Sequence, residues 1–210
     1  MADLSQVKPC VIFPNGFPGV GKLTIARSIE EKLQHFRISS RLVDTHLLDD
    51  AAKAIHPSTP RKGSDNVQQA VLLDRLRMVV LKELKTLPTQ NTVIIINGGL
   101  SMEKCDVAVF ADYVDVARAR GIPFYAFTIA CELEEHLTRV RTASRWMRMQ
   151  LTIAELYNVS RKNRVLDPTD ESVVGRFDKV VKLRHRVVDT TDLSVYASSE
   201  RVLGAIVAEQ

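Results

Sequence analysis

The chain has 210 residues, 45% of them hydrophobic and 26% charged, with a formal net charge of +4. That length holds one α/β domain with a sizeable core and little beyond it, in the composition of an ordinary soluble globular protein. No apolar run approaches the ~20 residues of a membrane span, the start MADLSQVKPC has no apolar stretch of signal-peptide type, and the mild, dispersed charge gives no reason to expect a nucleic-acid partner.

In chain order, Val7–Phe13 is a short apolar run closed by Pro14-Asn15-Gly16, which predicts a buried strand. A helix is expected from about Thr24 to His35, with Ile25, Ile29 and Leu33 on one face. Ser40–Val43, closing on Asp44, predicts the second strand. A helical or irregular stretch, Leu47–Ile55, follows it, and then loop chemistry from His56 to Gly63. A long helix from about Asp65 to Leu87 would bury Val67, Val71, Leu72, Leu76, Val79, Val80 and Leu84, and Pro88 stops it.

Thr92–Ile96 reads as the third strand, about Asp112–Arg120 as a helix stopped by Gly121, and Phe124–Ala130 as the fourth strand. A helix begins near Glu132, and another at the capping box formed by Thr152 and Glu155. A fifth strand is expected at about Val180–Val188, and a last helix from Ser198 or Ser199, burying Val202, Leu203, Ile206 and Val207. Strands alternating with helices favour a parallel sheet covered on both faces. Cys10, Cys105 and Cys131 are odd in number and widely spaced, which suits thiols of a reducing, cytoplasmic protein.

The strongest chemical signal is Gly16-Phe17-Pro18-Gly19-Val20-Gly21-Lys22-Leu23-Thr24, between the first strand and the first helix. A triphosphate needs several backbone N–H groups turned toward it with no Cβ in the way, and three glycines permit that curl. The helix that follows adds the positive end of its dipole, and Lys22 a mobile ammonium for the β- and γ-phosphates. The common form of this motif has Ser or Thr directly after the lysine as a Mg²⁺ ligand. Here Leu23 stands there and the hydroxyl comes at Thr24.

With these segments in order, the chain resembles the nucleoside-monophosphate-kinase-like group of P-loop kinases. It is similar to chloramphenicol phosphotransferase, gluconate kinase and the zeta-toxin kinases, and to fungal P-loop chains with near-identical loops. The resemblance implies a doubly wound, five-stranded parallel α/β sheet in a single domain, with a substrate-side insertion at about 45–65 and a small helical lid at about 139–165. It also implies ATP and Mg²⁺ as cofactors, and transfer of the γ-phosphate to a small-molecule hydroxyl or phosphate acceptor. The Gly-Lys-x-Thr order resembles adenylate kinases, in which the ion is held largely through water, so Thr24 is a water-mediated metal contact at most.

By the same resemblance Asp44, at the end of the second strand, removes the acceptor's proton; its alternative is to cap the following helix. His46 either contacts substrate or is structural, and Asp49 and Asp50 belong to a solvated helix start. Arg141, Arg145 and Arg148 share a helical face and, with Arg139, would close on the ATP phosphates; a solvated basic face is the alternative. Trp146 and Met147 would pack the lid hinge or cover substrate, with Arg161, Lys162 and Arg164 beyond.

Asp189-Thr190-Thr191-Asp192 resembles a turn near the adenine, where Thr190 and Thr191 would act through backbone groups; a simple turn is the alternative. Relatives often end the third strand in an acid, where this chain has Asn97-Gly98-Gly99. That departure leaves three readings: Asp44 takes over metal duty, catalysis is weak, or the protein binds nucleotide without transferring phosphate. A water-directed NTPase is a further reading. The basic residues of 51–77 form no recognisable monophosphate clamp.

Overall fold

Strands that are apolar on both sides need helices on both sides, and the chain supplies them. The computed structural model describes residues 4–57, 67–141, 164–175 and 181–210. After a 3₁₀ turn at Leu4–Gln6 come β1 Val11–Asn15, α1 Lys22–His35, β2 Ser39–Asp44, α2 Thr45–Ile55 and α3 Val67–Lys85. They are followed by β3 Thr92–Asn97, α4 Lys104–Arg120, β4 Phe124–Ala130, α5 Leu133–Arg141, α6 Glu171–Val174, β5 Leu183–Asp189 and α7 Val195–Val207. The five strands form one parallel sheet in the order β2-β3-β1-β4-β5.

Side-chain alternation divides the core into two layers. Ile12, Val93, Ile95, Phe127 and Ile129 pack with Ile25, Ile29 and Leu33 of α1 and Val202, Leu203 and Ile206 of α7. On the other face Val11, Phe13, Ile94, Ile96 and Phe124 pack with Leu81 and Leu84 of α3 and Val107, Phe110, Val114 and Ala117 of α4. The helix after β1 therefore lies on one face and the helix after β3 on the other. Those strands are neighbours, so a crevice opens between their carboxyl ends, where open α/β sheets hold ligands.

Several boundaries differ from the expectations. Strand β1 begins at Val11 and α1 at Lys22, two residues before Thr24. Helix α4 starts at Lys104, because Val107 and Phe110 belong to its buried face. Helix α7 starts at Val195 with Ser194 as its N-cap, not at Ser198 or Ser199. Those two serines sit inside the helix and bond back to the carbonyls of Ser194 and Tyr196. Strand β5 runs Leu183–Asp189, and Val207 is only half-buried.

The α3 stripe is the largest correction. That helix packs against α2 and α4, so Leu81 and Leu84 are its buried residues, while Val67 and Val79 are 69% and 61% exposed. Its C-terminal carbonyls are taken by Arg120, which donates to the carbonyl oxygens of Leu84 and Leu87. The capping box at Thr152, and Arg145, Trp146, Met147, Arg148, Arg161 and Lys162, lie outside the described residues, as does most of the expected lid. No described helix is long and apolar enough to cross a membrane. All three cysteines are free.

Candidate active site

Pro14 helps to make the crevice. Val11 N donates to Pro123 O, on the β4 side, and Cys10 O accepts from Ile94 N on β3. Alternation then turns the Pro14 peptide toward β3, where proline has no N–H to give. The β1–β3 register accordingly stops at Ile12↔Ile95, while β1–β4 continues to Asn15↔Thr128. Past the break, the buried Asn15 side chain bridges the gap: its Nδ2 donates to Leu100 O at 3.0 Å, and its Oδ1 accepts from Leu100 N at 2.8 Å. The phosphate-loop strand is thus tied to the β3–α4 loop without strand pairing.

Gly16, Gly19 and Gly21 all have positive φ, at 148°, 88° and 100°. A Cβ at Gly16 would collide with the Ile129 carbonyl oxygen. Gly16→Ala should therefore lower stability by about 1–3 kcal/mol and deform the loop, which thermal melts and nucleotide titration would detect. Gly21 is the N-cap of α1 and provides no side-chain cap, so the first N–H groups of that helix face the loop unscreened by a side chain.

Lys22 lies inside the loop, 8% exposed. Its Nζ donates to Gly16 O at 2.8 Å and Phe17 O at 2.9 Å. Burial brings its pKa down from 10.5 to about 8. The backbone at Gly99 passes close by: a Cβ there would lie 3.7 Å from the Lys22 Nζ and 3.7 Å from Gly16 O. A Cβ at Gly98 would lie 3.3 Å from Thr45 Oγ1. The end of β3 thus runs beside the lysine on one side and the start of α2 on the other, and of the two glycines only at Gly98 would a side chain be crowded.

Asp44 is at that start. It is the N-cap of α2, and its Oδ1 accepts from His46 N at 3.2 Å and from Asn97 Nδ2 at 3.1 Å. His46 Nδ1 lies 3.7 Å from the same oxygen. Oδ2 has no partner among the described residues. Asp44 and Asn97 are register partners, so the neutral residue at the end of β3 holds the carboxylate at the end of β2. Asn97 is fully buried, its own Oδ1 unpaired.

On the opposite side of the loop, a cavity of about 220 Å³ is lined by Gly21, Thr24, Arg139, Thr190, Val195 and Ser198, among others. Arg139 braces it. Its guanidinium donates to Val20 O, to Thr190 Oγ1 and O, to Thr191 O and to Glu135 Oε1. Thr190 is buried and bonds to Ala130 O, and the Thr191 hydroxyl donates to Asp189 Oδ1 and accepts from Glu132 N. Arg139 thus joins the phosphate loop to the β5–α7 turn. Arg141 ends α5.

His136, which carries no signal in the sequence pattern, donates from Nε2 to Pro18 O at 2.6 Å and is 4% exposed. Burial chiefly lowers its pKa, which favours the neutral ring with Nε2 protonated. A second cavity, about 210 Å³, lies between the loop (Gly16, Phe17, Pro18) and Gly99, Ser101, Asp106 and Arg164. Asp106 accepts from Ser101 N and Oγ at 2.8 and 2.6 Å, and the 164–166 segment bonds to the β3–α4 loop through Met102 N to Arg164 O and Leu166 N to Leu100 O.

Among the described residues, no three His, Cys, Asp or Glu side chains converge as a metal cage. Thr24 is exposed at the edge of the 220 Å³ cavity. This donor set fits a Mg²⁺ ion carried by phosphate oxygens and water, with few direct protein ligands.

No protein-family model matches the chain, and no curated protein matches it in sequence. Solved structures do match in fold. APS kinase of Mycobacterium tuberculosis, in complex with AMPPNP and APS, superposes with a TM-score of 0.53 at 17% identity, over 97% of this chain and 99% of that one. Thymidylate kinase from Candida albicans gives 0.55 at 15% identity, over 96% and 92%. Shikimate kinase from Acinetobacter baumannii, in complex with shikimate, gives 0.50 at 15%, over 99% and 97%. With its five parallel strands and its glycine loop at the β1–α1 junction, the chain has the α/β fold of the P-loop kinases.

Proposed function

We propose that this protein is an ATP-dependent phosphotransferase that moves the γ-phosphate to a hydroxyl or phosphate of a small molecule. The observation that carries the reading is the Lys22 ammonium, buried in a glycine loop at the crevice where β1 and β3 part. Anionic oxygens are better partners for it than the Gly16 and Phe17 carbonyls that it now contacts. Backbone N–H groups of residues 16–24 would cradle the phosphates, and Lys22 would follow the charge of the transferring group. Arg139, Thr190 and Thr191 shape the 220 Å³ cavity for the nucleoside, and a water-shelled Mg²⁺ would neutralise phosphate charge near Thr24.

Asp44 has two roles. Its Oδ1 caps α2 and accepts from Asn97, which leaves Oδ2 to take the acceptor's proton. Arg145 and Arg148 are assigned to closure over the phosphates, with Arg141. The test is ADP release across a panel of acceptors by wild type, Lys22→Ala and Asp44→Asn. Acceptor-dependent release that both substitutions suppress supports the reading; turnover of Asp44→Asn equal to wild type removes Asp44 as the base.

A nucleotide-binding protein without transfer is the second reading, favoured by the neutral Asn97 and by the carbonyls already bound to Lys22. Tight ATP binding with no transfer to any acceptor distinguishes it.

The pKa of Lys22 sets a pH dependence. With that group near 8 in the free protein, bound phosphate would raise it, so binding takes up a proton above that pH. Affinity for ATP should hold up to about pH 8 and then fall by up to about tenfold per unit. Calorimetry at pH 8.5 in two buffers of different ionisation heat should show the proton uptake.

A further inference from the structure

One cavity, of about 490 Å³, is not at the phosphate loop. It lies at the amino ends of β1, β4 and β5, opposite the crevice, where Lys8-Pro9, Gly121–Pro123 and Val181-Lys182 lead into the strands. Its size is within the range of small-molecule sites, roughly 300–1,000 Å³. Ile122, Pro123, Tyr125 and Ala117 give it an apolar floor. Strand pairing fixes that floor: Val11 N donates to Pro123 O, and Phe124 N to Lys182 O.

The wall is basic. Lys8, Arg118, Lys182 and Arg184 line the cavity against one acidic side chain, Glu209. Arg186 Nη2 holds its Oε1 at 2.6 Å, and Arg184 Nε lies 3.5 Å from its Oε2, which accepts no hydrogen bond among the described residues. Arg118 shares Asp115 with Lys85, and the Lys8 ammonium donates to Gln210 O at 3.2 Å. Lys182 is exposed and has no ion pair among the described residues. A concave surface with that surplus of positive charge concentrates anions, and the apolar floor gives a flat organic body a place to lie.

We infer that this cavity is a second binding site, separate from the phosphate loop, for a small organic polyanion that sets its charged group against Lys182 and Arg184 and its apolar body on Ile122, Pro123 and Tyr125. The site does not depend on the proposed phosphotransfer.

Phenyl phosphate and inorganic phosphate serve as probes, titrated into Lys22→Met protein so that the phosphate loop makes no use of its lysine. Expected are saturable binding of phenyl phosphate, weaker binding of inorganic phosphate, and amide NMR shifts centred on residues 121–125 and 181–184. Lys182→Glu/Arg184→Glu in the same background should weaken phenyl phosphate by at least about tenfold. If that variant fails to fold, the location of the shifts in its parent decides the matter. No saturable binding, shifts confined to residues 16–24, or equal affinity for the two probes would overturn the inference. So would an oligonucleotide that binds this face and displaces phenyl phosphate, which would make it a nucleic-acid surface.

Discussion

Lys22→Met should remove phosphoryl transfer, with turnover lower by about 10³-fold or more, yet leave the free protein at least as stable as wild type. The two halves of that result have one cause. Burial lowers the pKa of Lys22 to about 8, so the native state binds this proton less tightly than the unfolded chain, whose lysine keeps the ordinary value of 10.5. Below pH 8 the buried charge therefore opposes folding, by an amount on the order of 3 kcal/mol. Stability should rise as pH climbs from about 8 toward 10.5, where the unfolded chain still carries the proton. Methionine fills similar space without the charge. Thermal melts of the free protein at pH 7 and 9.5 check this: a melting temperature unchanged or raised by Lys22→Met, with the pH 9.5 gain seen only in wild type. A clear drop in melting temperature would mean that the bonds to Gly16 and Phe17 hold the loop together, and the binding loss could then be secondary.

Asp44→Asn is the second large effect. Asparagine caps helices as well as aspartate does, so its Oδ1 can still accept from His46 N and Asn97 Nδ2, and stability should change by less than about 1 kcal/mol. If Oδ2 is the base, turnover falls by about 10²–10⁴-fold with little change in the affinity for ATP. Asp44→Ala would add the loss of the cap, about 1 kcal/mol, and leave the buried Asn97 amide without an acceptor. Comparing the two substitutions by melting and by single-turnover rates separates the cap from the base.

The parts of the fold that sequence discloses are those whose signals are local. Glycines 16, 19 and 21 with Lys22 occupy one continuous stretch, and their positive φ values and the buried ammonium follow from that order. Strands such as Thr92–Asn97 are buried throughout and read as continuous apolar runs. Helix α3 misleads because Val67, Val71 and Val79 have helical spacing but are exposed, which periodicity alone does not reveal. The start of α4 is hidden because Lys104, Cys105 and Asp106 interrupt the apolar pattern before Val107.

The site shows the same division. Asn15 finds its partner 85 residues away, His136 reaches across 118 residues to Pro18, and Arg139 binds Thr190 across 51. Nothing in the local pattern marks these pairs. Proximity to the expected lid groups Arg139 with the arginines further along; in the structure its guanidinium donates to Val20 O and to Thr190, on the wall of the 220 Å³ cavity. Asn97 stands where sequence suggests a missing acid, and its amide holds Asp44 across the β2–β3 register.

Calorimetric titration of the protein with ATP and Mg²⁺ is the most direct check on the phosphate-loop assignment. A high-affinity saturable site is expected, lost on substitution of Lys22. Wild-type protein with no measurable affinity for any purine triphosphate, metal supplied, would contradict it.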